Sequence, residues 1–243
     1  QHVVQHHIHC NDIHHDPDIV GNSLLRLNPI KELTSVHAYQ YIYLFLLLCM
    51  FGVSYSIDSI MNNVHMQNHT DYAEPIHKYM YTEKTITSIC LSRWIVLPMI
   101  FTKSSFIPTI LNIAPLFVVG GFYLSFFFIL SHNYQGVFQY DSKSISEGFL
   151  RKQVKTSSNV GGPVLCFLNG GLNYQIEHHL FPRISHCYYP MIAPHVRQFC
   201  EKKNIRYTHF PTVLDNLMSC LKHLHTMGSL QTPPFFSMKE KND

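Results

Sequence analysis

Two stretches decide the architecture: Tyr39–Val53, YQYIYLFLLLCMFGV, and Thr109–Leu130, TILNIAPLFVVGGFYLSFFFIL. The first lies inside Leu33–Ile57, 25 residues without Asp, Glu, Lys or Arg, and the second inside Ser104–Tyr140, 37 residues without such a charge. A helix rises 1.5 Å per residue, so ~20 mainly apolar residues cross the hydrocarbon of a bilayer. Both windows therefore predict transmembrane helices; the alternative is a buried helical hairpin in a large soluble core. Tyr39, Tyr41, Tyr43 and Tyr55 flank the first window as an interfacial aromatic belt would. A third apolar stretch, Ile86–Phe101, is shorter, contains Arg93 and stops before Lys103. An arginine is costly in hydrocarbon, so an interfacial or re-entrant helix is expected there.

Composition supports this division. Of 243 residues, 46% are hydrophobic but only 14% are charged, against about 25% in soluble domains. Aromatics at 13% exclude intrinsic disorder. Cys10, Cys49, Cys90, Cys166, Cys187, Cys200 and Cys220 show no C-x-x-C and no regular spacing, which favours reduced thiols over a disulfide scaffold. A net charge of +3 gives no reason to expect nucleic acid. Its distribution matters more: residues 151–243 hold 11 of the 18 Lys and Arg against five acids, which places them in the cytosol by the positive-inside tendency. The loop 58–85 is acidic on balance and carries the glycosylation sequon Asn68-His69-Thr70. The chain starts at Gln1 inside a dense histidine cluster, without the basic and apolar regions of a signal peptide. An N-terminal part missing from this stretch is the expectation.

Histidine is the other anomaly: 18 residues, as many as Lys and Arg together. In His2-Val3-Val4-Gln5-His6-His7, His2 and His6 would share one face of an α-helix, and His7 would reach a second metal nearby. Gln175-Ile176-Glu177-His178-His179 puts Gln175, His178 and His179 on one helical face, with Gly170-Gly171 before it and Asn173 as a candidate cap. His132-Asn133 closes the second apolar window, where an ionisable residue marks a functional site. His9, His14 and His15 are expected to face solvent or to stand behind ligands. His37, His65, His69, His77, His195, His209, His223 and His225 are read as surface or capping residues. If the two main clusters bind one centre, an even number of spans must separate residue 7 from residue 178. The two windows supply that number, and Ile86–Phe101 is demoted accordingly.

The strings NVGG at 159–162, LNGGLNYQIEHHLFPRISH at 168–186 and YYPMIAPHVRQFC at 188–200 resemble front-end fatty acid desaturases. HVVQHH with Asn11 and Asp16-Pro17-Asp18 resembles that family's second histidine box, and FFFILSHNYQGV at 126–137 its segment before the third. Gln175 in place of a first histidine distinguishes the front-end branch. The resemblance implies a mainly α, integral membrane protein with about two transmembrane helices, an interfacial helix and a cytosolic helical cap holding the boxes. It also implies two iron ions held by His2, His6, His7, His132, Gln175, His178 and His179, with Asn133 and Asp16 orienting imidazoles. O2, electrons from cytochrome b5 and its reductase, a polyunsaturated acyl substrate carried by coenzyme A or phospholipid, and the endoplasmic reticulum membrane follow from the same likeness.

Residues 1–225 then form the C-terminal part of a desaturase domain, and 226–243 a loose tail. Departures from the family are the H-x-x-x-H box and the His-Pro-Gly-Gly haem motif of a fused cytochrome b5 domain, both expected upstream of residue 1. His9-Cys10-Asn11 also replaces the commoner Tyr-Thr-Asn. This stretch alone is expected to be inactive. Competing readings are a sphingolipid long-chain-base desaturase, a fatty acid hydroxylase, and a non-enzymatic metal-binding or metal-transporting membrane protein. Transporters place ligands mid-membrane, whereas both main clusters here lie outside the apolar windows. Gly120-Gly121 is read as a possible close approach between helices.

Overall fold

The computed structural model describes residues 2–20, 24–65, 80–142 and 147–229. Helices dominate, in two compact units: residues 45–125, and residues 1–44 with 126–243. The sequon at 68–70, His69 and His77 lie outside the described residues.

The unit 45–125 holds most of α1 (Gln40–His65), all of α2 (Met80–Thr102) and most of α3 (Phe106–His132). All three are long and apolar enough to cross a membrane by length and composition, where the sequence windows predict about two. The difference is α2, which is longer than the apolar stretch Ile86–Phe101. Its polar residues do not break it, because the Thr85 and Ser92 hydroxyls donate to the carbonyls of Tyr81 and Ile89 within the helix. α1 and α3 meet backbone to backbone at Gly52 and Gly121. A Cβ on either would overlap the other helix's main chain, whereas a Cβ on Gly120 would meet nothing within 4 Å. Of the Gly120-Gly121 pair, therefore, only Gly121 makes the close approach. Ser125 Oγ donates to Gly121 O at 2.8 Å inside the same helix.

The other unit is built of short helices: α4 (Phe149–Lys155), α5 (Pro163–Asn169), α6 (Gln175–Leu180), α7 (Tyr189–Lys202) and α8 (Val213–Gly228). Two short strands, β1 (Asn159–Val160) and β2 (His209–Phe210), pair in parallel. On α7 the buried residues Tyr189, Ala193, Val196 and Cys200 recur every three or four positions, an apolar stripe facing inward. Val196 and Cys200 join Val154 of α4 and Ile176 of α6 in one core cluster, so α6 is held between α4 and α7. α8 begins with a capping box between Thr212 and Asp215 and closes on the N-terminal segment. Buried Arg26 donates to Met227 O and Pro29 O, and Gln40 Nε2 donates to Leu224 O at 2.7 Å.

Two expectations change here. α8 runs to Gly228 with Met227 buried, so residues 226–228 belong to the packed unit; residues 230–243 lie outside the described residues. His223 is buried rather than at the surface, its Nε2 donating to Leu27 O at 3.2 Å. Burial brings its pKa down to about 4. His37, equally buried, does cap: it closes a capping box with Thr34.

Two measurements check this packing. Gly121→Val should cost about 1–3 kcal/mol by overpacking and lower the melting temperature, while Gly120→Ala should not. For His223, the folded state refuses a proton that the unfolded chain takes up below pH 6.5. Stability should therefore fall as pH drops from about 6.5 to about 4. His223→Gln, which keeps a donor for Leu27 O, should flatten that slope in denaturation curves.

Candidate metal centre

The first cluster is not α-helical throughout. His2–His6 forms a π-helical turn that runs into a single α-turn at His7–His9. A π-turn closes i to i+5 rather than i+4, so the partner brought over His2 is His7, their Nε2 atoms 3.3 Å apart. The expected pairing of His2 with His6 is kept as well: their rings stack at 5.2 Å and they form a group with Asp18, while His6 also joins a further group described below. His6 Nδ1 donates to the Asp16 carboxylate at 3.0 and 3.2 Å, and Asp18 lies 2.8 Å from the same nitrogen. Asp16 is fixed in turn by the amides of Asn11 (2.7 Å) and Asp18 (3.0 Å).

The last cluster sits on α6, a helix of six residues that needs outside support. Its cap is not Asn173, whose amide donates to Val160 O and Gly162 O. Asn159 does that work from β1: its Oδ1 accepts from Ile176 N at 3.0 Å. The same side chain donates to Glu177 at 2.6 Å, and Tyr207 OH donates to the other Glu177 oxygen at 2.9 Å. The carboxylate inside the motif thus faces away from the imidazoles and anchors the helix. Burial raises its pKa, and the bonds from Asn159 and Tyr207 oppose that. Gly171 is required before α6, because its φ is +87° and a Cβ there would collide with His186.

These segments converge. His7 Nε2 lies 3.1 Å from His178 Nε2, which completes a group of His2, His7 and His178. His179 Nε2 lies 3.3 Å from His132 Nε2, in a second group with His6 and Cys10. Within each group the candidate donor atoms all lie within 4.8 Å of one another. The rings of His7 and His179 stack at 4.4 Å, so the groups adjoin. Gln175 reaches the second group, its amide nitrogen 3.4 Å from His179 Nε2. Phe128 packs on the rings of His2, His6 and His132 and walls one side. A cleft of about 270 Å³ opens beside Gln175 and His178, lined also by Gly171, His186 and Tyr189.

Of the residues singled out from the sequence, Asn133 makes no hydrogen bond to an imidazole among the described residues: its amide donates to Ile129 O at 3.3 Å, and its Oδ1 is buried without a hydrogen-bond partner. Two contributors were missed. Gln153 accepts from His179 Nδ1 at 2.8 Å, and Cys10 Sγ lies 3.4 Å from His132 Nδ1. Neither carries a local signal, since their partners are 26 and 122 residues away. Thr156 O accepts from His132 Nδ1 at 3.2 Å, a backbone contact no motif records.

The donor chemistry fits metal ions. His6, His132 and His179 each commit Nδ1–H to an oxygen acceptor, which fixes the tautomer and leaves the Nε2 lone pair inward. His6 Nε2 and Gln175 Oε1 are buried without a hydrogen-bond partner, a costly state for atoms that do not bind something. Burial and the positive neighbours hold His7 down to about 3, and His178 down to about 4. His179 is lowered by the same causes. Neutral imidazole is the metal-binding form. His6 runs the other way: burial alone would lower it, but Cys10 and the bonds to Asp16 and Asp18 outweigh that and raise it, so a metal would have to displace a proton from its Nε2.

The fatty acid desaturase family model matches residues 1–211. The chain is 38% identical over 235 residues to an acyl-lipid (7-3)-desaturase of Rebecca salina, and 39% over 233 residues to one of Diacronema lutheri. A Delta(5) fatty acid desaturase A of Dictyostelium discoideum is 29% identical over 244 residues. Each alignment covers 94% of this chain and 52% of the relative, so the chain spans about half the length of these relatives. No solved structure matches.

Support of α6 through Glu177 makes a separate prediction. Tyr207→Phe leaves the buried carboxylate one donor short and should cost about 1–3 kcal/mol, read as a lower melting temperature. Tyr188→Phe, at an exposed side chain, should leave stability unchanged.

Proposed function

The chain belongs to the fatty acid desaturase family, and from that premise we propose that its histidines hold the di-iron centre of a front-end acyl desaturase. One observation carries the proposal: two adjoining groups of imidazoles, drawn from three distant segments, each with donor atoms close enough to share one ion. His2, His7 and His178 would hold one iron; His6, His132 and His179 the other, with Gln175 beside it. Bound there, two irons supply the dioxygen-dependent removal of hydrogen from an unactivated methylene, which side chains cannot perform. The chain's own part is positioning. Asp16, Gln153 and the Thr156 carbonyl hold the Nδ1 protons, so His6, His179 and His132 keep their lone pairs inward. Phe128 keeps water from one side. His132 ends an apolar helix, α3, along which an acyl chain can approach from the bilayer.

Membrane topology follows the same logic. His7 and His178 are in contact, so an even number of crossings separates them. We assign those crossings to α1 and α3. α2 joins the start of α3 through three residues, Lys103–Ser105, and we assign it no net crossing. The basic excess of 151–243 supports a cytosolic face, and we place the protein in the endoplasmic reticulum membrane with cytochrome b5 and its reductase as electron donors. The desaturase domain is taken to include all of α8, because Met227 and Leu224 are bound by Arg26 and Gln40.

The test is product analysis by mass spectrometry of the full-length protein, expressed in a host fed a polyunsaturated precursor. A new double bond between the carboxyl end and an existing one is expected; a hydroxylated or sphingoid-base product would overturn the reading. His178→Ala with His179→Ala should abolish product, and retained activity would sink the ligand assignment. Residues 1–243 expressed alone should form none. Asp16→Asn should weaken iron retention by about 10–100-fold, as expected for a residue that orients a ligand.

A further inference from the structure

We propose that His9, Asp12 and His15 form a separate site for one zinc ion on the loop that joins His7 to Asp16. These residues belong to neither histidine group above, and their candidate ligand atoms lie within 4.8 Å of one another. His15 Nδ1 is 3.2 Å from Asp12 Oδ1, His9 Nδ1 is 4.0 Å from Asp12 Oδ2, and the two rings are 5.2 Å apart. Two imidazole nitrogens and one carboxylate oxygen are the donors of three-ligand zinc sites, which leave a fourth position to water. Bonds of ~2.0–2.1 Å in a tetrahedron put ligand atoms ~3.3–3.5 Å apart, so the half-buried His9 ring and the exposed His15 ring would close in on the ion.

Asp12 points independently to a cation. It is fully buried, yet its Oδ2 has no hydrogen-bond partner, His9 Nδ1 standing off at 4.0 Å, and a buried carboxylate oxygen without a hydrogen bond is costly. Its other oxygen accepts from His14 N at 3.1 Å. The backbone beneath is already fixed. Asp12 N donates to His9 O at 2.7 Å, and Ile13 N donates to Tyr140 O at 3.0 Å. Asn11, at φ 58°, makes the reversal between the two histidines. Ser142 Oγ also lies 3.3 Å from His15 Nδ1 and would give up that contact to the ion. His14 offers an internal control, because it is exposed and takes no part in the group. A zinc ion here would staple the loop between His7 and the carboxylate that orients His6.

The experiment uses the purified full chain titrated with zinc alone. Histidine modification by diethylpyrocarbonate is read peptide by peptide in a mass spectrometer. The reagent attacks the same imidazole lone pair that binds metal, so one bound zinc should slow modification of His9 and His15 by about tenfold or more, with His14 unchanged. Metal analysis should show one zinc fewer in His9→Asn with His15→Asn than in the parent. Equal modification rates for His9, His14 and His15 with zinc present, or equal zinc content in parent and variant, would overturn the site. Neither readout depends on iron or on desaturation, so failure here leaves the proposed function standing, and the converse holds.

Discussion

Imidazole nitrogens facing one another across less than 3.5 Å are the constraint on which the rest of this structure depends. His7 Nε2 meets both His2 and His178, and His179 Nε2 meets His132. Rings that present lone pairs to one another repel and protonated rings repel more, so the group of His6, His132 and His179 persists only if its rings are held from behind. The outer contacts do this: Asp16 on His6, Gln153 on His179, the Thr156 carbonyl on His132. Local consistency is given up at the site and recovered in its surroundings, as expected where function sets the sequence.

The surroundings explain otherwise odd features. A two-residue parallel strand pair is a poor element by itself, yet it carries Asn159, which caps α6 and binds Glu177. α8 packs its last turn against Arg26 and Gln40, and so ties this helix to the segment that follows the first cluster. Gly171 is needed for the turn that delivers α6, and Gly52 and Gly121 for the approach of two apolar helices.

Much of this was legible in the sequence, and the failures have physical causes. Uncharged windows revealed α1 and α3, because length and apolarity are local properties. The full length of α2 was not visible, since its hydroxyls satisfy themselves on the helix backbone. The third box and His132 were readable from motif and position. That the first cluster serves two groups was readable too, but the contact of His2 with His7 was not, because helical spacing assumes an α-turn and the chain makes a π-turn. Gln153, Cys10 and buried His223 were missed for a common reason: each acquires its role from a partner distant in the chain.

The central claim is that two irons are held by two distinct groups of histidines. Iron content and magnetic coupling, measured by Mössbauer spectroscopy on the full-length protein and on His2→Ala and His132→Ala variants, test it most directly. Two coupled irons per chain are predicted for the parent, and one uncoupled iron for each variant. A parent with a single iron, or variants that retain a coupled pair, would contradict it.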